Sequence, residues 1–138
     1  VIEVGEIARK VRHISEADIR AFATMCEDFN PLHHDAELAK ASRFGGLIAA
    51  GPHYVSLLLG LLASHFARHG PQVGVEFSVA FRRPVRPGDT ITFEWVVRAI
   101  EPKSRGDIVT LDGSITNQDG ETVLTAVGKI LALKDEAS

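Results

Sequence analysis

A single cysteine, Cys26, stands in a chain of 138 residues. This excludes an internal disulfide and a cysteine-rich zinc site, and it fits a reducing compartment. Long hydrophobic runs are equally scarce. The most apolar stretch, YVSLLLGLLASHFA, is shorter than the ~18–20 residues a bilayer-spanning helix needs, and His65 interrupts its end. No basic stretch followed by an apolar segment opens the sequence, so no secretory signal is read and a cytoplasmic protein is expected. A basic block is missing too: the net charge of -3 is spread along the chain, so neither nucleic acid nor a membrane is expected as a partner.

What remains is an ordinary globular balance, with 45% hydrophobic and 24% charged residues. The length suits one domain covering residues 1–138, large enough to bury a core without staples. Disorder is expected only in the closing KDEAS.

Residues 7 to 14 alternate loosely and read as a first strand whose Arg9, Lys10 and Arg12 keep an edge soluble. Ser15 followed by Asp18 approximates a capping box, which predicts a helix over 16–26 with Ile14, Ile19, Phe22 and Met25 toward the core. Pro31 disfavours helix at Asn30 and ends that element. DAELAKAS, 35–42, reads as a short helix capped by Asp35, and RFGGLIAAG as a loop. Gly51 and Pro52 then open a helix running to about Arg68, apolar nearly all round and so expected to be enclosed. Four runs rich in Val, Ile, Thr and Phe follow, separated by RPGD, KSRGD and NQDGE turns. An antiparallel sheet wrapped around one helix is an α+β arrangement, the layout of the hot-dog fold.

The chemistry concentrates in CEDFNPLHHD, Cys26 to Asp35. On a continuous helix Asp28 and His33 point roughly 140° apart, but Pro31 breaks the helix between them. The turn can therefore bring a carboxylate and an imidazole to one space, with Asn30 bonding the backbone, as an acid/base pair on a scaffolded loop. The plain alternative is a helix-terminating turn with a packed histidine. Gly51 adds the N–H donors of a helix start, suited to a developing oxyanion. Together these serve addition or elimination next to a carbonyl.

DFNPLH, 28–33, resembles the D-x-N-P-x-H core of the MaoC-like dehydratases and (R)-specific enoyl-CoA hydratases, which are hot-dog proteins. The likeness continues through HHDAELAKASRFGGLIAAG and FSVAFRRPVRPGDTI, covering about residues 15–100. It implies that Asp28 and His33 activate water for syn hydration of a trans-2-enoyl-CoA, or for dehydration of an (R)-3-hydroxyacyl-CoA. It implies further that Asn30 holds the turn, that the Gly51 N–H binds the thioester carbonyl, and that Ser56 orients Asp28. No metal or redox cofactor is implied, coenzyme A being part of the substrate, and a homodimer with interfacial sites is expected. This chain departs from the family at three points: Cys26 and Glu27 replace the usual Ser-Gly, and Ala50 stands where a histidine is common. Glu27 either faces Asp28 and raises its pKa or faces solvent.

Other candidates have two readings each. His53 either lines the pocket or is a packed histidine. Arg82, Arg83 and Arg86 either meet coenzyme A phosphates or keep a strand edge soluble. His65 and His69 lie at i, i+4, but no carboxylate accompanies them in sequence, and a helix C-terminus suits them without a metal. Gly60 admits a close strand or an acyl chain, and Cys26 is expected to be a small packed residue. Two rival functions share the same fold: an acyl-CoA thioesterase, and a non-catalytic acyl-thioester-binding subunit.

Overall fold

The computed structural model describes residues 1–134, so most of KDEAS, where disorder is expected, lies outside the described residues. The elements run β1 (Ile7–His13), α1 (Glu16–Met25), a 3-10 turn (Pro31–His33), α2 (Ala36–Ala41) and α3 (Gly51–Phe66). A 3-10 turn at Ala67–His69 and strands β2 (Gln72–Phe81), β3 (Thr90–Pro102), β4 (Gly106–Thr116) and β5 (Thr122–Leu133) complete the chain. All strand pairs are antiparallel, in the order β1-β3-β4-β5-β2. This is the expected hot-dog arrangement.

Period-two alternation fixes which face meets α3. Ile91, Phe93, Trp95 and Val97 of β3 are buried, as are Val109, Leu111 and Ile115 of β4 and Leu124, Ala126 and Ile130 of β5. From α3, Tyr54, Leu58, Leu62 and Phe66 meet them at i+4 spacing. The Trp95 Nε1–H donates to the Leu58 carbonyl at 2.8 Å, tying the sheet to the helix. Gly113 makes room for that ring, because a Cβ there would lie 2.6 Å from it.

Three packing expectations are corrected. α3 is enclosed on one side only, with Ser56 and Gly60 exposed, because one face of one sheet covers one side of a helix. Nothing lies within 4 Å of a Cβ built at Gly60, so no strand approaches it. In α1 the buried residues are Ile19 and Ala23, while Met25 is 83% exposed and Cys26 is exposed as well. The helix ends at Met25, so both side chains leave the core with its last turn. No described helix is long and apolar enough to cross a membrane.

Candidate active site

The loop after α1 is built by local hydrogen bonds. Ser15 and Asp18 form the expected capping box at the start of α1. At its end the Glu27 N–H bonds the Thr24 carbonyl (3.1 Å) and the Asp28 N–H bonds the Ala23 carbonyl (2.8 Å). That is a Schellman closure, and it requires a left-handed residue at its centre. Glu27 takes that role with φ 60, a conformation in which glycine is at ease and a glutamate is strained. The family's usual glycine at this position thus has a geometric reason. The Glu27 side chain is exposed, so of its two readings the solvent-facing one holds.

From there the chain turns through the 3-10 segment. Asn30 Oδ1 accepts from the Leu32 N–H (3.1 Å), and the Asn30 N–H donates to Asp28 Oδ1 (3.1 Å). The second oxygen, Asp28 Oδ2, lies 3.3 Å from His33 Nε2. His33 is buried, whereas the Asp28 side chain keeps a third of its surface exposed. On the far side of its ring His33 Nδ1 sits 2.7 Å from the Ile48 carbonyl. A carbonyl only accepts, so Nδ1 carries the hydrogen, and in the neutral ring Nε2 presents its lone pair toward Asp28. The turn therefore leaves one carboxylate oxygen and one imidazole nitrogen side by side, each able to take a proton.

His33 also lines a cleft of ≈ 460 Å³ with Asn30, Leu32, Phe44, Ile48, Gly51, Tyr54, Phe81, Arg82 and Arg83, among others. Its walls are largely apolar, and the start of α3 opens onto it. Pro52 has no N–H, and the His53 N–H is bonded to the Ala50 carbonyl (2.9 Å), which leaves the Gly51 N–H an open donor of the first turn among the described residues. Gly51 leaves room for the Phe81 ring: a Cβ there would lie 2.8 Å from it. Phe81 in turn packs edge-on against Tyr54 at 5.9 Å. At the mouth Arg82 donates to Thr125 Oγ1 (3.3 Å) and Arg83 pairs with Glu121 (3.3 Å), both on exposed side chains.

Two expected site residues lie elsewhere. Ser56 does not orient Asp28: its hydroxyl donates to the Pro52 carbonyl of its own helix and lies 3.1 Å from the His53 carbonyl. A serine inside a helix commonly back-bonds in this way. His53 is a packed histidine, stacked on Phe22 with ring centroids 4.7 Å apart. Both line a separate shallow depression with Arg12, Asp18 and Leu57. Burial holds the His53 pKa below the usual 6.5; Asp18 raises it and Arg12 lowers it further.

The sequence reading missed two contributors. The Ile48 carbonyl, which fixes the His33 tautomer, is a backbone group in a loop and leaves no signature in residue type. His34, next to His33 in the chain, holds the Asp28 carbonyl through Nε2 at 2.7 Å. At the other end of α3, Glu6 supplies the carboxylate that the sequence around His65 and His69 lacks, with Oε2 2.9 Å from each Nε2. Among the described residues no group of three or more His, Cys, Asp and Glu has an arrangement that holds a metal ion.

Comparison with known proteins places the chain in a family. A MaoC-like domain family model matches residues 4–118. The (R)-specific enoyl-CoA hydratase of Aeromonas caviae is 36% identical over 124 residues, spanning 90% of each chain. The 3-hydroxybutyryl-CoA dehydratase of Methylorubrum extorquens is 31% identical over 81% of this chain and 77% of its own. Among solved structures, the (R)-hydratase from A. caviae involved in PHA biosynthesis superposes with a TM-score of 0.85 at 34% identity, covering 94% of this chain and 96% of that one. The hot-dog fold and these likenesses agree: the chain belongs to the MaoC-like family of hydratases and dehydratases.

Proposed function

We propose that the chain is a hydro-lyase that adds water to a trans-2-enoyl-CoA to give an (R)-3-hydroxyacyl-CoA, and catalyses the reverse elimination. The observation that carries this reading is the pairing of Asp28 Oδ2 with His33 Nε2 at 3.3 Å, beside an apolar cleft onto which Gly51 opens. A water bridging the two atoms has both of its hydrogens engaged by acceptors. Its oxygen bonds to C3 of the enoyl group while one proton passes to the pair, and the pair returns one proton to C2. The C2–C3 double bond is consumed, and Asp28 and His33 end as they began. Negative charge that builds on the thioester oxygen during attack falls to the Gly51 N–H and the positive pole of α3. The overall addition changes no oxidation state of the chain and asks for no redox cofactor.

Arg82 and Arg83 at the mouth suit the phosphates of coenzyme A, since guanidinium groups match phosphate oxygens bidentately. The assembly proposed is a homodimer. β2 is an edge strand that exposes Val73, Val75 and Phe77, an apolar row that a second copy would cover.

The test is to incubate the pure protein with short and medium trans-2-enoyl-CoAs, following enoyl absorbance and free thiol in parallel. Loss of absorbance without thiol release supports the hydratase. Thiol release points to a thioesterase, and silence across chain lengths to a binding subunit; either outcome overturns the proposal.

A further inference from the structure

We infer that His34 is a positioning residue for Asp28, resting on the reading of Asp28 as part of the acid/base pair. The peptide just before the reactive carboxylate is strained, because Glu27 sits at φ 60 without being glycine. Strain of this kind persists only where surrounding contacts over-determine it. On the α1 side the Asp28 N–H is fixed to Ala23 (2.8 Å), and on the turn side Asp28 Oδ1 accepts from Asn30 (3.1 Å). Neither contact holds the Asp28 carbonyl. His34 does: its Nε2 lies 2.7 Å from that oxygen, and because a carbonyl only accepts, Nε2 carries the hydrogen.

His34 is itself anchored from outside the turn. Its own carbonyl accepts from Arg20 Nη1, and the Arg20 side chain is steadied one helical turn away by Glu16 at 3.3 Å. A chain of contacts therefore runs from α1 through Arg20 and His34 to the backbone of Asp28. It closes the loop between residues 28 and 34 independently of the His33 ring, which is tied to Ile48 instead. The two halves of the pair are thus positioned by different anchors. Releasing the His34 anchor lets Asp28 drift relative to a fixed His33, and a drift of about 1 Å is enough to cost up to about a hundredfold in rate.

The experiment compares wild type, His34→Gln and His34→Leu with a trans-2-enoyl-CoA that the wild type turns over. Gln keeps a donor near the Nε2 position, and Leu removes it. The expected result is kcat reduced about ten- to a hundredfold in His34→Leu with KM little changed, and near wild-type kcat in His34→Gln. Adding Glu27→Gly to His34→Leu relieves the strain the anchor opposes, and is expected to recover much of the lost kcat. A wild-type kcat in His34→Leu, or equal losses in the Leu and Gln variants, overturns the inference. If His34→Leu does not fold, His34→Asn, whose donor is too short to reach the carbonyl, takes its place. The His33 Nε2 resonance, which senses the Asp28 carboxylate, gives a readout independent of turnover: it is expected to shift in the Leu variant and not in the Gln variant. A wild type inert toward enoyl thioesters overturns the hydratase reading alone, and an unshifted resonance in the Leu variant overturns the positioning role alone.

Discussion

The two ends of α3 carry the same residue types to opposite effect. At its N-terminal end His33 and Asp28 stand 3.3 Å apart, and at its C-terminal end His65 and His69 both bond Glu6 Oε2 at 2.9 Å. In the first, His33 Nδ1 is engaged by a backbone carbonyl, which turns an acceptor nitrogen toward the carboxylate beside the cleft. In the second, one carboxylate oxygen receives two imidazoles. The first arrangement leaves His33 Nε2 as an acceptor beside Asp28; the second spends the Nε2 atoms of both histidines on one carboxylate oxygen. Histidine and carboxylate leave an open acceptor pair or form a structural clasp according to what their remaining atoms bond.

Substitution at each end should separate the two roles. The largest effect is expected from Asp28→Asn and His33→Gln, each lowering kcat by about 10²–10⁴-fold in the enoyl absorbance assay, with unfolding temperature nearly unchanged. Gly51→Ala comes next. Its Cβ would lie 2.8 Å from Phe81, so activity should fall about tenfold or more, and a second change, Phe81→Leu, should recover part of it by freeing that space.

At the clasp the expectation inverts: Glu6→Gln should leave kcat alone and change stability. Burial raises the Glu6 pKa, but the hydrogen bonds from His69 and His65 outweigh it and hold it below the usual 4.5. A depressed carboxylate stabilises the fold above its unfolded pKa, and that contribution is lost as pH falls through the lower folded value. Thermal unfolding followed below pH 4.5 should therefore show an acid-dependent loss that Glu6→Gln lacks.

His53 gives a smaller acid effect in a different window. Its lowered folded pKa means that the unfolded chain takes up a proton first, so stability falls as pH drops below 6.5. His53→Leu should flatten that part of the curve and also remove a buried Nδ1 that has no hydrogen-bond partner. The smallest change is Glu27→Gly, expected to stabilise by about 1 kcal/mol in denaturant unfolding by relieving the left-handed backbone.

Much of the site was legible because its grammar is local. The Asn30–Pro31 turn, the Asp35 cap and the Gly51–Pro52 start of α3 join residues within four positions of one another, and the structure has each as read. The exposure of Met25 and Gly60 has one shared reason. Helical spacing tells which residues share a face, but not which faces the rest of the chain will cover. The role of His34 escaped because neighbours in sequence suggest nothing about a ring folding back over its own loop. The Glu6 carboxylate was invisible at His65 because 59 positions separate them.

The sequence by itself determined where helices start and stop, which strand residues alternate, and that a carboxylate and an imidazole leave one turn together. Those choices follow from backbone sterics and short-range hydrogen bonds, which act before the chain is closed. Only the tertiary structure decided that Ile48 sets the His33 tautomer, that the Phe81 ring lies where a Cβ at position 51 would come, and that His33 stands beside Asp28 while His65 and His69 share Glu6 in a clasp. Such outcomes depend on sheet closure and on contacts between distant segments, and no local pattern contains them.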